Sequence, residues 1–167
     1  MNPTIYVACL ASYNNGIRYG IEFDATLPPE DMMGIIKDML ENSPVEGAEE
    51  WDVCDYNDFG LLNTYRIGGL QHIHDIACFL VEKGELGAGL LKELGENVDE
   101  ARRVMEDDYI GEYNSIVEYA MERTADCYSD VPDYIMGYID FEAMASDLSH
   151  DLIEIELDGY VYLYHNS

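Results

Sequence analysis

Apolar and polar residues alternate at the start of the chain, which is typical of β-strands. The alternation covers Thr4–Ser12 and Ile17–Phe23, and the turn signal Asn15-Gly16 between them predicts a β-hairpin. A helix is predicted to begin at Pro28-Pro29, because acids follow in its first turn and apolar residues then recur every three or four positions. Trp51–Tyr56 is predicted to be a third strand. Residues 1–61 therefore predict a small α+β domain.

The spacing of apolar residues changes between Leu61 and Asp108. There they recur with the period of a helix, and strand signals disappear. Several glycines, such as Gly84 and Gly95, interrupt the pattern and favour short helices with tight connections. Residues 62–103 therefore predict a small helical domain.

A helix predicted from Glu112 to about Tyr128 has two distinct faces. The face predicted to be buried carries Tyr113, Ile116, Val117, Ala120, Met121, Thr124 and Tyr128. Glu112, Glu118, Glu122 and Asp126 lie on the opposite side, about 170° away at about 100° per residue. Glu118, Glu122 and Asp126 repeat every four residues without an intervening base on that stripe. An ordinary surface helix would alternate the signs of its charges.

The end of the chain predicts a helix and a second hairpin. The helix covers about Asp140–Leu148, and the favoured turn Asp158-Gly159 joins an alternating strand, Ile153–Leu157, to a final strand. Both faces of that final strand are apolar, which indicates burial on both sides and predicts a homodimer interface. The interface residues would be Tyr160, Val161, Tyr162, Leu163 and Tyr164. The fold class is α+β, with α+β domains at 1–61 and 104–167 flanking the helical domain at 62–103.

The net charge limits the possible partners. The 167 residues include 35 acids and only 8 bases, giving a net charge of −27 at pH 7. Nucleic acids and anionic membranes are bound through Lys and Arg, so direct binding to either is strongly disfavoured and the partner is expected to be basic. No apolar run is long enough to span a membrane, and Met1–Cys9 does not resemble a signal peptide. We expect a cytoplasmic protein.

The charge is unevenly distributed along the chain. Residues 1–61 carry a net −10, residues 62–103 only −2, and residues 104–167 carry −15. A dimer would match the charge of roughly 27 base pairs of duplex DNA. Such a surface would offer a basic DNA-binding groove the same charge pairing, electrostatic steering and counterion release that DNA offers. The pattern indicates a DNA mimic that inhibits by occupying the groove.

The candidate partner-binding carboxylates lie mainly in the two acidic ends. They are Glu22, Asp24, Asp31, Asp38, Glu41, Glu49, Glu50, Asp55, Asp58, Glu106, Asp107, Asp108, Glu112, Glu118, Glu122, Asp126, Asp130, Asp133, Asp147 and Asp151.

No sequence motif predicts a catalytic, metal or cofactor site. His72 and His74 would point about 200° apart on a helix, so they are not expected to share a metal. Asp55–Gly60 resembles the start of a calcium loop, but its twelfth position is Arg66, where a glutamate is required. Nucleophile and phosphate-binding motifs are missing from the sequence. We therefore expect a protein that is not an enzyme.

Four segments of the sequence are similar, in order, to those of one known family. They are the first strand and turn at Thr4–Gly16, the third-strand region Glu50–Tyr56, the motif Val98–Tyr113 and the C-terminal helix region Tyr138–Leu148. Together they resemble the ArdA-type antirestriction proteins of conjugative plasmids and transposons, and we expect a member carried by a conjugative transposon. The residues that match the family's antirestriction motif include Val98, Asp99, Glu100, Arg103, Met105, Tyr109 and Tyr113.

The resemblance implies a shape and a target. It implies an elongated dimer of three-domain subunits, shaped like bent B-form DNA, with its dimer contact in the C-terminal part. Such a dimer would occupy the DNA groove of type I restriction-modification enzymes and protect unmodified DNA during transfer. This chain departs from the family pattern at Cys9 and Cys54 and in its weakly charged middle.

Other functions fit the composition. An acidic immunity or inhibitor protein against another basic nuclease fits equally well, and only the family resemblance disfavours it. A salt-adapted or calcium-buffering protein, or a hydrolase that uses two carboxylates, is a further alternative. A salt-adapted protein should need molar salt to fold, whereas a DNA mimic should fold at low salt and bind less tightly as salt rises.

Overall fold

The chain divides into two units, Met1–Val98 and Asp99–Ser167, in a computed structural model. The structure describes residues 2–60, 62, 68–128 and 130–166. Each unit contains one three-stranded antiparallel sheet, in the orders β2-β1-β3 and β4-β6-β5. The predicted α+β class is therefore confirmed. The division into three domains stays a prediction, and the first predicted boundary, at Leu61, lies outside the described residues.

The first unit begins with the predicted hairpin and helix. Its elements are β1 (Thr4–Cys9), α1 (Leu10–Asn14), β2 (Gly20–Asp24), α2 (Pro29–Glu41) and β3 (Trp51–Asn57). β1 pairs antiparallel with both β2 and β3, so the hairpin and the third strand are confirmed. The first strand ends earlier than predicted, because the chain turns into α1 and buries Ser12, whose hydroxyl lies 3.0 Å from that of Ser43.

The core of this unit lies between one face of the sheet and α2. Ile5 and Val7 on β1 are fully buried, as are Met32 and Ile36 on α2. α2 has proline at its start and two acids in its first turn, where the helix dipole favours negative charge. The opposite face of the sheet is left free of this helix.

The second part of the unit is α3 (Gly69–Glu93), which bends sharply at Gly84. Gly84 has φ 62° and ψ −148°, a backbone conformation that only glycine adopts without strain. The predicted succession of short helices is thus confirmed as two helical segments around this glycine. α3 packs against α2, and the His74 ring nitrogen Nδ1 lies 2.9 Å from the Leu27 carbonyl oxygen.

The second unit contains a strand where a helix was predicted. Its elements are α4 (Val98–Asp107), β4 (Tyr109–Tyr113), α5 (Ile116–Cys127), α6 (Asp133–Met136), α7 (Phe141–Ser149), β5 (Leu152–Leu157) and β6 (Tyr160–His165). The predicted helix start at Glu112 is wrong, because that residue pairs with Tyr162 of β6. The helix begins after Ser115, whose hydroxyl accepts a hydrogen bond from the Glu118 backbone N–H.

The buried face of α5 is also rotated from the predicted one. Tyr119, Ala120 and Thr124 are buried, whereas Met121 and Tyr128 are exposed. The Tyr119 side chain packs with Leu152 and Leu163 of the sheet. These contacts and the packing against α7 rotate the helix so that Met121 and Tyr128 face solvent.

The second hairpin is confirmed. Asp158 and Gly159 both have positive φ, 53° and 85°, as the predicted two-residue turn requires. The final strand, β6, lies in the centre of its sheet, between β4 and β5. Its two apolar faces are also explained within one chain, because Leu163 and Tyr164 lie on opposite faces and both are buried. Leu163 packs in the core with Tyr119, and Tyr164 is almost completely buried.

Candidate partner-binding surface

The candidate carboxylates are almost all on the surface. Eighteen of the twenty are exposed, and the two exceptions, Asp24 and Asp108, are half-buried. An exposed carboxylate keeps its hydration and its charge, so it is available to a cationic partner. The structure therefore leaves most of the predicted set accessible for binding.

The two exceptions have structural partners. Asp24 accepts hydrogen bonds from the Thr26 hydroxyl at 2.6 Å, the Thr26 backbone N–H at 2.8 Å and the Asn2 amide at 2.7 Å. Burial raises the pKa of Asp24, but these hydrogen bonds outweigh it and leave the pKa below its usual value. Asp108 accepts a hydrogen bond from Arg103 at 2.8 Å. Both carboxylates stabilise the fold where they lie.

Two carboxylates flank a tyrosine on the open face of the first sheet. Tyr6 on β1 lies directly opposite Glu22 on β2 and Asp55 on β3. The Glu22 carboxylate is held in place because its Oε1 atom accepts hydrogen bonds from the Thr4 hydroxyl at 2.7 Å and the Asn57 amide at 2.9 Å. Strand register thus brings together acids that lie 33 positions apart in the sequence.

A cleft of about 730 Å³ opens beside these carboxylates. Its lining includes Tyr6, Tyr13, Arg18, Glu22 and Asp55, which combine aromatic surface with charges of both signs. Among the residues that the structure describes, no three histidine, cysteine or acidic side chains are grouped as a metal site requires.

The predicted acidic row on α5 is exposed along its length. Glu118, Glu122 and Asp126 are spaced one helical turn apart, about 6 Å along the axis. Glu118 also accepts hydrogen bonds from the backbone N–H and the side-chain amide of Asn114, so it helps to fix the start of the helix. Exposed acids continue beyond α5 at Asp130 and Asp133.

The segment that resembles the antirestriction motif, Val98–Tyr113, forms α4 and β4. Arg103 holds it together by binding two acids. Its guanidinium donates to both carboxylate oxygens of Glu100, at 2.7 and 3.2 Å, and to Asp108 at 2.8 Å. Hydrogen bonding to Arg103 lowers the pKa of Glu100. The other acids of α4, including Asp99, are exposed, and Val98 and Met105 are half-buried.

Two tyrosines of this segment pack against rings of the second unit. The Tyr109 ring centre lies 5.3 Å from that of Tyr164, and the Tyr113 ring centre lies 5.1 Å from that of Tyr119. These are normal distances for tilted aromatic pairs. The segment therefore consists of a helix followed by a strand of the second sheet, and its two tyrosines pack against Tyr164 and Tyr119.

The antirestriction protein ArdA family model matches residues 5–162, nearly the whole chain. The chain belongs to the ArdA antirestriction protein family. None of the curated proteins compared with it matches significantly. Membership gives this ArdA chain an antirestriction function, carried out on restriction enzymes. The structure described for this ArdA chain contains no helix that is both long and apolar enough to cross a membrane.

The five predicted interface residues of this ArdA chain differ in exposure. Tyr160 is exposed, Val161 and Tyr162 are half-buried, and Leu163 and Tyr164 are buried within the chain itself. Burial raises the pKa of Tyr164 to about 12. Only the first three therefore have surface that a second subunit could contact, and the interface stays a prediction.

The β5 strand of this ArdA chain has an acid on its core-facing side. Glu154 lies opposite Leu163 and is half-buried. Burial, together with the nearby charge of Glu156, raises the pKa of Glu154.

Sequence reasoning missed three of the exposed tyrosines of this ArdA chain. Tyr128 was assigned to a buried face, and Tyr134 and Tyr138 were not singled out, but all three are exposed. The sequence does contain a signal that this segment is on the surface. Between Thr124 and Ser149 there are six acids and no lysine or arginine.

Proposed function

We propose that this ArdA chain inhibits type I restriction-modification enzymes by presenting carboxylates in place of DNA phosphates. The observation that supports this most is the exposure of eighteen candidate carboxylates on a chain with only 8 bases. A groove that binds DNA through Lys and Arg would be attracted to such a surface. Occupation of the groove would block cleavage and methylation, and unmodified DNA would be protected during conjugative transfer.

The proposed binding is distributed over many weak contacts. An exposed ion pair contributes about 0.2–1 kcal/mol, so a dozen or more are needed for tight inhibition. Binding of this kind is steered by long-range attraction and weakens steeply as salt rises. A homodimer would double the acidic surface, and its net charge would equal that of roughly 27 base pairs of duplex DNA.

The chain is expected to displace duplex DNA from a type I methyltransferase core. Labelled duplex DNA bound to the methyltransferase at low salt would be titrated with the chain, and release would be followed by fluorescence anisotropy. Release should be complete near stoichiometric amounts at low salt. The affinity of the chain for the methyltransferase, after correction for the salt dependence of DNA binding itself, should fall as salt rises, because its contacts are ionic.

A nuclease of similar basic charge from another class is the control for this titration. DNA that stays bound to the methyltransferase at a large excess of the chain contradicts the proposal. Equal release from the control nuclease would favour a general acidic inhibitor over a type I inhibitor.

Replacing Tyr160 by aspartate is expected to convert dimers into monomers. Tyr160 is the most exposed of the five predicted interface residues, so the change adds a charge without disturbing the core. Sedimentation velocity at several concentrations would measure the change. Tyr13→Asp, at an exposed tyrosine of the first unit, is the matched control and should leave dimers intact. Unchanged dimers in Tyr160→Asp would place the subunit contact elsewhere.

A further inference from the structure

Four apolar side chains in and around α6 are exposed. They lie within eleven consecutive residues and are together called the tyrosine patch, which consists of Tyr128, Tyr134, Ile135 and Tyr138. Tyr128 is 59% exposed, Tyr134 is 72% and Tyr138 is 88%. Backbone hydrogen bonds form turns in this segment. The Ile135 N–H donates to the Pro132 carbonyl, and the Tyr138 N–H donates to the Ile135 carbonyl. A short segment with several exposed apolar side chains is a candidate interaction surface.

The surroundings of the patch indicate what it contacts. Between Thr124 and Ser149 there are six acids and no lysine or arginine. Asp126, Asp130 and Asp133 are exposed and lie in the same short stretch of sequence as the patch residues. A second copy of the chain would bring the same negative charges against these, which is unfavourable at close range. A cationic partner surface complements both the charge and the rings.

We propose that the tyrosine patch binds arginine and lysine side chains in the DNA groove of the restriction-modification enzyme. An arginine guanidinium can stack on a tyrosine ring while it pairs with a neighbouring carboxylate. The proposal rests on the proposed function, since it names the contact that supplements the phosphate-like charges. The rings contribute affinity that salt does not screen, because stacking removes apolar area from water.

The test is the triple variant Tyr128→Ser, Tyr134→Ser and Tyr138→Ser in the full chain. Its apparent affinity for the type I methyltransferase core, from competition with labelled DNA, should fall about tenfold or more. The dependence of affinity on salt should keep the slope of the unsubstituted chain, since no charge is removed. The corresponding triple phenylalanine variant keeps the rings and should stay within about threefold of the unsubstituted chain.

Val81→Ser is the matched control, because Val81 is a 54% exposed apolar residue on α3 in the first unit, in the weakly charged part of the sequence. It should bind within about twofold of the unsubstituted chain. If the triple serine variant unfolds at a lower temperature, Tyr138→Ser alone decides the question, with an expected loss of about two- to fivefold.

The possible failures can be separated. An unsubstituted chain that displaces no DNA contradicts the proposed function itself. If the unsubstituted chain displaces DNA and the triple serine variant binds with equal affinity, only the inference about the patch is overturned. A serine variant that becomes monomeric also overturns it, because the patch would then contact a second copy.

Discussion

Neutralising three acids at and beyond the end of α5 is expected to weaken inhibition about tenfold. The variant is Glu122→Gln, Asp126→Asn and Asp130→Asn. Each exposed ion pair contributes about 0.2–1 kcal/mol, and three together approach the 1.4 kcal/mol that corresponds to a factor of ten. Each single change should cost less than about fivefold. Competition titrations at two salt concentrations would also show a shallower salt dependence, because fewer ion pairs form.

A control with the same change in net charge separates position from total charge. Glu82, Glu85 and Glu93 are exposed acids of α3, in the part of the sequence with a net charge of only −2. Their conversion to glutamine should lower affinity by less than about threefold. Equal losses from both triple variants would mean that total charge, and not the acidic surface near α5, determines binding. Loss of all activity from one single change would point to a localised site.

Leu163→Ala is expected to lower the free energy of unfolding by about 2–5 kcal/mol. Leu163 is fully buried on the central strand β6 and packs with Tyr119 and Leu152, so its removal leaves a cavity between the sheet and α5. Urea unfolding followed by circular dichroism would measure the change. Met121→Ala, at an exposed residue of α5, should stay within about 0.5 kcal/mol of the unsubstituted chain. Similar losses from the two variants would contradict the described packing of the second unit.

The elements with strong local signals could be predicted from the sequence. The proline and acids at the start of α2 determine where that helix begins, and Asp158-Gly159 determines the second hairpin turn. β4 could not be predicted in the same way. It has only five residues, and its partner strand β6 lies about fifty positions later, so pairing between distant segments decides its conformation. α1 was missed because the burial of Ser12 decides where β1 ends.

The candidate surface was predictable in part. A carboxylate is costly to bury, so its position on the surface follows from its chemistry. The roles of Asp24 and Asp108 depend on the partners that the fold brings to them, such as Arg103. The pairing of Glu22 and Asp55 around Tyr6 depends on strand register, and no local pattern encodes it.

The central position of β6 leaves β4 and β5 as the two outer strands of their sheet. Outer strands have unpaired backbone N–H and C=O groups. A strand of another chain could form hydrogen bonds with them and so begin aggregation. Here Glu156 is exposed on β5, Glu112 is exposed on β4, and Glu154 points inward from β5. A second copy that added a strand to β5 would have to cover the half-buried Glu154 carboxylate. It would also bring its own acidic side chains close to the carboxylates of β5. We therefore expect the acids of β4 and β5 to disfavour edge-to-edge joining of concentrated copies.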